Sequence, residues 1–327
     1  MNFNPLVSII IPVYNGSDYM KEAIDSALNQ TYNNCEVIVV NDGSNDEGKS
    51  EVIAKSYSDK IRYFFKENGG VSSAINLGIQ KMRGEYFSWL SHDDVYYRNK
   101  IEEQINFLKK RKKRNIVLYA DIDYIDCDSN SIKGEKTPHI DQDKFRFYLV
   151  IKRPLVNGNT VLIPKICFNR VGLFDVSLRT TQDYDMWFRL SKKYDFAYVN
   201  KSLAKARIHS RQGCKIIPTF INEVNNTIIN QLKKMPKKEI LRITNEKNII
   251  SVYKKLAVRF SMNGGYKAGW PSHYALNLLR NELDKKGLKL NISFFSIKFI
   301  CILLELRYVG KRIRCFLKYY DSYNFNI

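Results

Sequence analysis

The sequence predicts an α/β fold for its first two thirds, a mostly parallel sheet flanked by helices, followed by a helical, basic C-terminal region. Three observations carry this. From Leu6 to Ala120, short β-branched runs alternate with segments of helical period, the pattern of a parallel sheet with helices on both faces. The short runs are almost continuously apolar, as strands buried on both sides are. Beyond residue 219 the apolar positions recur only at helical spacing, punctuated by Gly264-Gly265 and Gly287. We therefore divide the chain into an α/β domain, 1–215, and a helical region, 216–327.

Each element has its own signal. Leu6 to Ile11 reads as a buried strand stopped by Pro12. Asp18 to Gln30 places Met20, Ala23, Ile24, Ala27 and Leu28 on one helical face. Glu36 to Val40 is the second strand and ends in the turn residues Asn41-Asp42-Gly43-Ser44. A helix from Asp46 to Ser58, a strand from Ile61 to Phe65 and a helix from Val71 to Met82 follow. Tyr86 to Leu90 is the fourth strand, Asn99 to Lys112 a helix, and Asn115 to Ala120 the fifth strand. Residues 121–128 alternate acidic and other residues and read as an amphipathic edge strand or loop. An EF-hand needs Gly at its sixth loop position and Glu at its twelfth; counting from Asp121 these are Asp126 and Ile132, so calcium is excluded. Gln182 to Lys192 is helical, with Asp183 in the first turn, where the helix dipole favours a carboxylate. The C-terminal helices read as 219–234, 239–262, 268–284 and 293–320.

Composition narrows the function classes. Hydrophobic residues make up 44% and charged residues 26%, proportions that exclude wholesale disorder and a multi-span membrane protein. The net charge of +20 calls for an anionic partner: nucleic acid, an anionic membrane surface or a phosphorylated substrate. The charge is uneven. Residues 1–212 hold 32 Lys+Arg against 26 Asp+Glu, net +6, and residues 213–327 hold 21 against 7, net +14. The six cysteines are scattered, with no C-x-x-C spacing, as in reduced proteins. The first apolar run lacks a basic flank, and no segment reaches about 18 uninterrupted apolar residues. These features predict a cytoplasmic protein, peripheral on the membrane if the basic tail binds there.

Ligands of parallel α/β sheets bind at the carboxyl ends of the strands. Tyr14-Asn15, Asp42-Gly43-Ser44 and Asp93-Asp94 all fall at that edge. Adjacent aspartates there suit Mg²⁺ or Mn²⁺ bridged to substrate phosphates, or equally a pair of helix N-cap residues. Asp42 reads equally as a turn residue.

The ordered set Pro12-Val-Tyr-Asn15, Val40-Asn-Asp-Gly-Ser44, Asn68 to Asn76, Gly84 to Asp94, Gly172-Leu-Phe-Asp175 and Gln182-Asp-Tyr-Asp-Met-Trp187 resembles the inverting glycosyltransferases of family 2. Those have the GT-A, or nucleotide-diphospho-sugar transferase, fold. The likeness covers about residues 5–212. It implies a nucleotide-sugar donor, usually a UDP-sugar, and a divalent metal, Mn²⁺ or Mg²⁺. Pro12, Tyr14 and Asp42 match positions that hold the nucleoside. Asn15, Ser44, Gly70 and Asn76 lie on the matching loops and helix start near the donor. Asp93 and Asp94 match the family's DxD-type motif, one near the ribose or metal and the other a metal ligand, with the order open. Ser91 stands where many members have Asp. Asp183 matches the acceptor-side catalytic base. Arg207-Ile-His209 resembles a late basic motif that approaches the diphosphate or metal.

An inverting transfer needs these residue types. It is one displacement at the anomeric carbon, with a base taking the acceptor hydroxyl's proton, typically worth about 10²–10⁴-fold. The leaving nucleoside diphosphate needs cationic stabilisation. No second nucleophilic carboxylate is required. His209 alone could as well be structural, as could His92; Asp185 reads as structural, and Arg189 as the ion-pair partner of a carboxylate nearby. Asn157-Gly158-Asn159-Thr160 opens a strand and is a candidate binding loop.

In the tail, Phe295, Phe299, Ile302, Leu306, Val309, Ile313, Phe316 and Tyr320 form an apolar stripe opposite Arg307, Lys311, Arg314 and Lys318. That pattern suits an interfacial helix on an anionic membrane or packing on the protein itself. The expected acceptor is a hydroxyl of a glycan or lipid-linked glycan, in cell-surface polysaccharide synthesis. A nucleotidyltransferase would carry a basic Gly-rich loop after the first strand, but Tyr14-Asn15-Gly16-Ser17 has no basic residue before Lys21. A nucleic-acid-binding protein would need a basic, aromatic module. The run Lys109 to Arg114 reads instead as the solvated end of a helix, so no nucleic acid is expected as partner.

Overall fold

The computed structural model describes residues 3–137, 140–151, 156–244, 246–264 and 271–285. The chain forms two compact units, 1–223 and 224–327.

The first unit begins with β1 (Val7–Val13), α1 (Met20–Leu28), β2 (Cys35–Asp42), α2 (Lys49–Lys55), β3 (Arg62–Lys66), α3 (Val71–Lys81) and β4 (Tyr86–Trp89). Then come β5 (Val95–Tyr96), α4 (Lys100–Lys109), β6 (Val117–Ile125), β7 (Ser131–Glu135), α5 (Gln142–Ile151), β8 (Ile163–Pro164), α6 (Ile166–Val171), α7 (Gln182–Leu190), β9 (Phe196–Arg207) and α8 (Gly213–Ile216). One sheet has the order β3-β2-β1-β4-β8. Its first four strands are parallel, β1 pairing Val7 with Cys35 and Val13 with Asn41 on one side and Val7 with Tyr86 on the other, and β8 joins antiparallel. The strand order reverses at β1, from which β2 and β3 extend to one side and β4 to the other, and that switch point opens the crevice in which α/β sheets bind ligands.

The strands alternate between two cores. Ile9, Ile11 and Val13 of β1 pack with Met20, Ala23 and Ile24 of α1 and Ile101, Ile105 and Leu108 of α4. Ile10, Ile38 and Val40 face the other way, among Ala74, Ile75 and Ile79 of α3 and Met186, Trp187 and Leu190 of α7. Each such aliphatic side chain contributes roughly 1.5–3 kcal/mol, so both faces of the sheet are secured. Gly78 of α3 lets the helix lie directly on Ile10: a Cβ there would come within 2.5 Å of its side chain.

A second sheet has the order β5-β9-β6-β7; the fifth strand expected over Asn115 to Ala120 is the first part of its β6, and its other strands lie outside what the sequence pattern revealed. The acidic run 121–128 is not an edge element: residues 117–125 form one strand between β9 and β7, parallel to β9. Its carboxylates are structural acceptors. Asp121 receives Tyr198 Oη at 2.7 Å and Asp123 receives Tyr97 Oη at 2.6 Å. The twelve-residue β9 has no clean alternation: Asn200 and Lys201 in its middle are exposed, where the register with β6 shifts. Arg189 pairs with Asp185 at 2.7 Å, as expected, and Lys109–Arg114 is solvent-exposed at the end of α4.

In the second unit α9 (Phe220–Lys233) continues beyond Glu223 and is followed by α10 (Lys237–Thr244), α11 (Ile249–Gly264) and α12 (Pro271–Lys285). The single helix expected over 239–262 is two helices. Asn248 starts the second, its Oδ1 accepting the Ile250 N–H at 3.0 Å in the manner of an N-cap. The expected helix 293–320 lies outside the described residues. No helix among the described residues is long and apolar enough to cross a membrane.

Candidate active site

The loops after β1, β4 and β9 enclose a cleft of about 300 Å³ lined by Tyr14, Asn15, Asp18, Tyr19, His92, Asp93, His209, Arg211 and Gln212, among others. Local chemistry shapes each loop. Asn15 takes a left-handed backbone (φ 49°), which Asn tolerates. Its side chain exchanges two hydrogen bonds with Asn45, and its N–H donates to Ser44 Oγ at 2.9 Å, so the first two loops are knitted together. Gly43 has φ +67°, and a Cβ there would sit 2.5 Å from the Asn68 backbone nitrogen. Only glycine permits both the turn and that approach.

Asp93 and His209 meet across the cleft. His209 Nε2 lies 2.9 Å from Asp93 Oδ2, and both side chains are mostly buried. The His209 ring stands 5.4 Å, centroid to centroid, from Tyr19. A carboxylate oxygen and an imidazole nitrogen are both donor types that a divalent ion accepts. Among the described residues no third His, Cys, Asp or Glu joins them. Asp93 and His209 are the two groups that would hold a divalent ion here.

Asp94 does not share that role. It is buried, with Oδ1 accepting the Arg207 N–H at 2.7 Å and Oδ2 the Asn159 side-chain amide at 2.5 Å. Burial, and then the neighbouring Asp93, push its carboxyl well above the usual carboxylate range, against the pull of those donors. The metal assignment expected for Asp94 is thereby corrected to a structural one, because both oxygens are committed inward. Asn157–Thr160, the candidate binding loop, supplies this support: Asn159 also accepts the Ser91 N–H at 2.8 Å.

Arg207 requires a second correction. It is completely buried and does not line the cleft. Nε donates to the Asp93 carbonyl, Nη1 to the Asp126 and Cys127 carbonyls and Ser129 Oγ, and Nη2 to Glu22. Its plane lies 4.4 Å over the Tyr19 ring. A guanidinium so fully engaged buttresses the 91–94 turn from behind. The cation at the cleft is Arg211, largely exposed and paired with Asp18. Neither Glu22 nor Arg211 stood out in the sequence, because lone charges in loops and first helical turns are common.

The remaining predicted residues are dispersed around the cleft. Pro12 is buried in β1, and Tyr14 is exposed at the cleft wall. Asp42 is buried beneath the third loop, where Oδ1 accepts from Lys66 Nζ at 2.7 Å, Gly69 N–H at 3.1 Å and Ser73 Oγ at 3.3 Å. Gly70 (φ +85°) opens α3. Asn76, expected near the donor, is instead a clamp: its Oδ1 accepts the Phe174 N–H at 2.9 Å and its Nδ2 donates to the Phe174 carbonyl at 2.8 Å. Both ends of its amide are used, which withdraws it from ligand contact. Asp183 is half-buried in the first turn of α7 and is not among the residues lining the cleft. Its loop does approach the loop that opens α3, since a Cβ at Gly70 would stand 3.4 Å from Arg179 Nη1.

The fold has known counterparts. The fold matches S. aureus TarS 1–349 solved in complex with UDP-GlcNAc, with TM-score 0.58 over 94% of this chain and 92% of that one at 15% identity. At that identity the likeness shows the fold alone, which is GT-A. The family model for glycosyl transferase family 2 matches residues 8–177. An uncharacterized glycosyltransferase of Rickettsia typhi is 46% identical over 268 residues, 81% of this chain and 83% of that protein. One from Rickettsia bellii is 48% identical over 74% of this chain, which spans only 35% of that longer relative. A hyaluronan synthase of Pasteurella multocida is 31% identical over 64% of this chain and 21% of its own length. The chain belongs to glycosyl transferase family 2 and is a glycosyltransferase.

Proposed function

We propose that the enzyme transfers a sugar, with inversion, from a UDP-sugar to a hydroxyl of a glycan or lipid-linked glycan in cell-surface polysaccharide synthesis. The observation that carries this is the meeting of Asp93 and His209 at the sheet-edge cleft. It supports a site for a diphosphate-bound Mn²⁺ or Mg²⁺ that Asp93 and His209 would hold. Such an ion would supply a Lewis acid for the departing diphosphate. Arg211, the exposed cation at the cleft, adds charge for the same oxygens in the role first expected of Arg207. Tyr14 and Asn15 frame the nucleoside side of the cleft, and Asp42, through the loop it holds, sets the donor-side backbone. Asp183 acts as the base that accepts the proton of the attacking hydroxyl. The domain division at 215 and the membrane-facing tail belong to the same reading: the first unit does the chemistry and the basic tail brings the enzyme to an anionic surface.

A panel of nucleotide sugars, titrated calorimetrically with Mn²⁺ or Mg²⁺ and assayed for nucleotide release, tests the reading. At least one UDP-sugar should bind in a metal-dependent way and be slowly hydrolysed. If no nucleotide sugar binds with either ion, the reading fails. Asp183→Asn should bind the donor normally and lose about 10²–10⁴-fold in turnover; an unchanged rate removes Asp183 from the mechanism.

A further inference from the structure

The segment 172–181 between α6 and α7 has no regular structure, yet it leads directly into Asp183. It is fastened at four places, one of them the Leu173 carbonyl, which accepts from Arg189 Nη2 of α7 at 2.9 Å. Asn76 of α3 grips Phe174 by both its N–H and its carbonyl. Ser72 of α3 donates to the Leu178 carbonyl at 3.3 Å. The strongest fastening is Glu223, in the first turn of α9. Its Oε1 accepts the Thr180 and Thr181 N–H groups, each at 2.7 Å, and their hydroxyls at 2.9 and 3.0 Å. Its Oε2 accepts the Arg179 N–H at 3.0 Å. Burial opposes the charge of this carboxyl, but the donors from Arg179, Thr180 and Thr181 outweigh it and hold the group below the usual range.

Five donors from three consecutive residues determine the path of the chain as it enters α7. The first N–H groups of a helix have no partner within it. Asp185 N–H to Thr181 O, at 3.1 Å, links the gripped loop to the first turn of α7. Arg179, the first gripped residue, points Nη1 at the donor-side Gly70. One carboxylate therefore sets the orientation of the turn bearing Asp183.

We propose that Glu223 is a positioning residue for transfer: through Arg179, Thr180 and Thr181 it holds the turn that presents Asp183 to the acceptor. This deepens the reading of Asp183 as the base and rests on it. A base misplaced by about 1 Å can cost about 10²-fold in rate, whereas donor affinity depends on loops that Glu223 does not touch.

The test compares wild type, Glu223→Gln, Glu223→Ala, Asp183→Asn and the Glu223→Ala/Asp183→Asn double variant in the full chain. Three measurements are made: UDP affinity by calorimetry with Mn²⁺, nucleotide release from the sugar nucleotide the panel selects, and amide hydrogen exchange over 179–183. Glu223→Ala should leave UDP affinity and the donor KM within about twofold, lower kcat by about 10²-fold and speed exchange at Thr180 and Thr181 about tenfold. Glu223→Gln keeps one acceptor oxygen and should fall between. The double variant should be no slower than Asp183→Asn. Wild-type kcat in Glu223→Ala while Asp183→Asn is inactive overturns the proposal. So does a parallel loss of melting temperature and UDP affinity in both Glu223 variants, the mark of a merely structural acid. Wild-type turnover in Asp183→Asn defeats the base reading instead; unchanged exchange at 179–181 in Glu223→Ala then defeats the clamp independently.

Discussion

The Arg207 N–H donates to Asp94 Oδ1 at 2.7 Å, and this bond joins the turn after β4 to the end of β9. It places their neighbours, Asp93 and His209, 2.9 Å apart at the cleft. Asp94 and Arg207 face inward, while Asp93, beside the first, and His209, two residues past the second, line the cleft. The same turn is backed by Asn159 and by the Arg207 guanidinium bonded to the Asp93 carbonyl.

Asp93→Asn and His209→Ala should therefore separate binding from folding. Each should remove most of the Mn²⁺-dependent increment in UDP affinity, read by calorimetry with and without the ion. Their urea unfolding free energies should stay within about 1 kcal/mol of wild type, since neither side chain supports the core. Metal-enhanced UDP binding at full strength in both would rule out this pair.

Arg207→Met should behave in the opposite way. It leaves the Asp93, Asp126 and Cys127 carbonyls without their donor and should cost about 3 kcal/mol in denaturant unfolding, in line with breaking a buried charge network. Arg211→Met, at an exposed position, should cost under about 1 kcal/mol while weakening UDP binding. Equal stability losses in the two variants would contradict the buried and exposed roles described.

Asn76→Ala tests clamp against ligand. It strips both backbone partners from buried Phe174, so about 2 kcal/mol of stability should be lost. UDP affinity should hold. A stable variant with weakened UDP binding would return Asn76 to the donor site.

Lys100 gives the fold a pH signature. Fully buried, it donates to Ser88 Oγ at 2.7 Å and Gln104 Oε1 at 3.1 Å and lies 4.2 Å from the Tyr96 ring centre. Burial pushes its amine well below the usual lysine range. Between that lowered folded value and the unfolded value near about 10.4, the unfolded chain binds more protons, so stability rises with pH. From pH 7 to 9.5, Lys100→Met should show a flatter dependence of unfolding free energy than wild type. Identical slopes would mean that Lys100 is charged in the folded protein.

Much of the first sheet was legible because β1, β2 and β4 are largely apolar runs, and alternate residues of β1 enter two cores, as Ile9 and Ile10 do. Burial on both faces leaves an unambiguous local signal. The second sheet was hidden, because β6 carries acids that are satisfied only by distant hydroxyls such as Tyr198 and Tyr97. A polar residue's partner, unlike its hydropathy, is not encoded beside it.

The sequence by itself determined the α/β class, the ordered motifs of the family and the set of loops that form the cleft. Those follow from local periodicity and turn chemistry. The tertiary structure alone decided which members of that set face the cleft: Asp93 but not Asp94, Arg211 rather than Arg207, Asn76 as a clamp. It also brought Glu223 to the turn before Asp183, about 40 residues away in sequence. Orientation depends on which distant donors and acceptors satisfy each polar group, and a buried group left unmatched costs about 1–3 kcal/mol. That constraint arises only when the chain has folded.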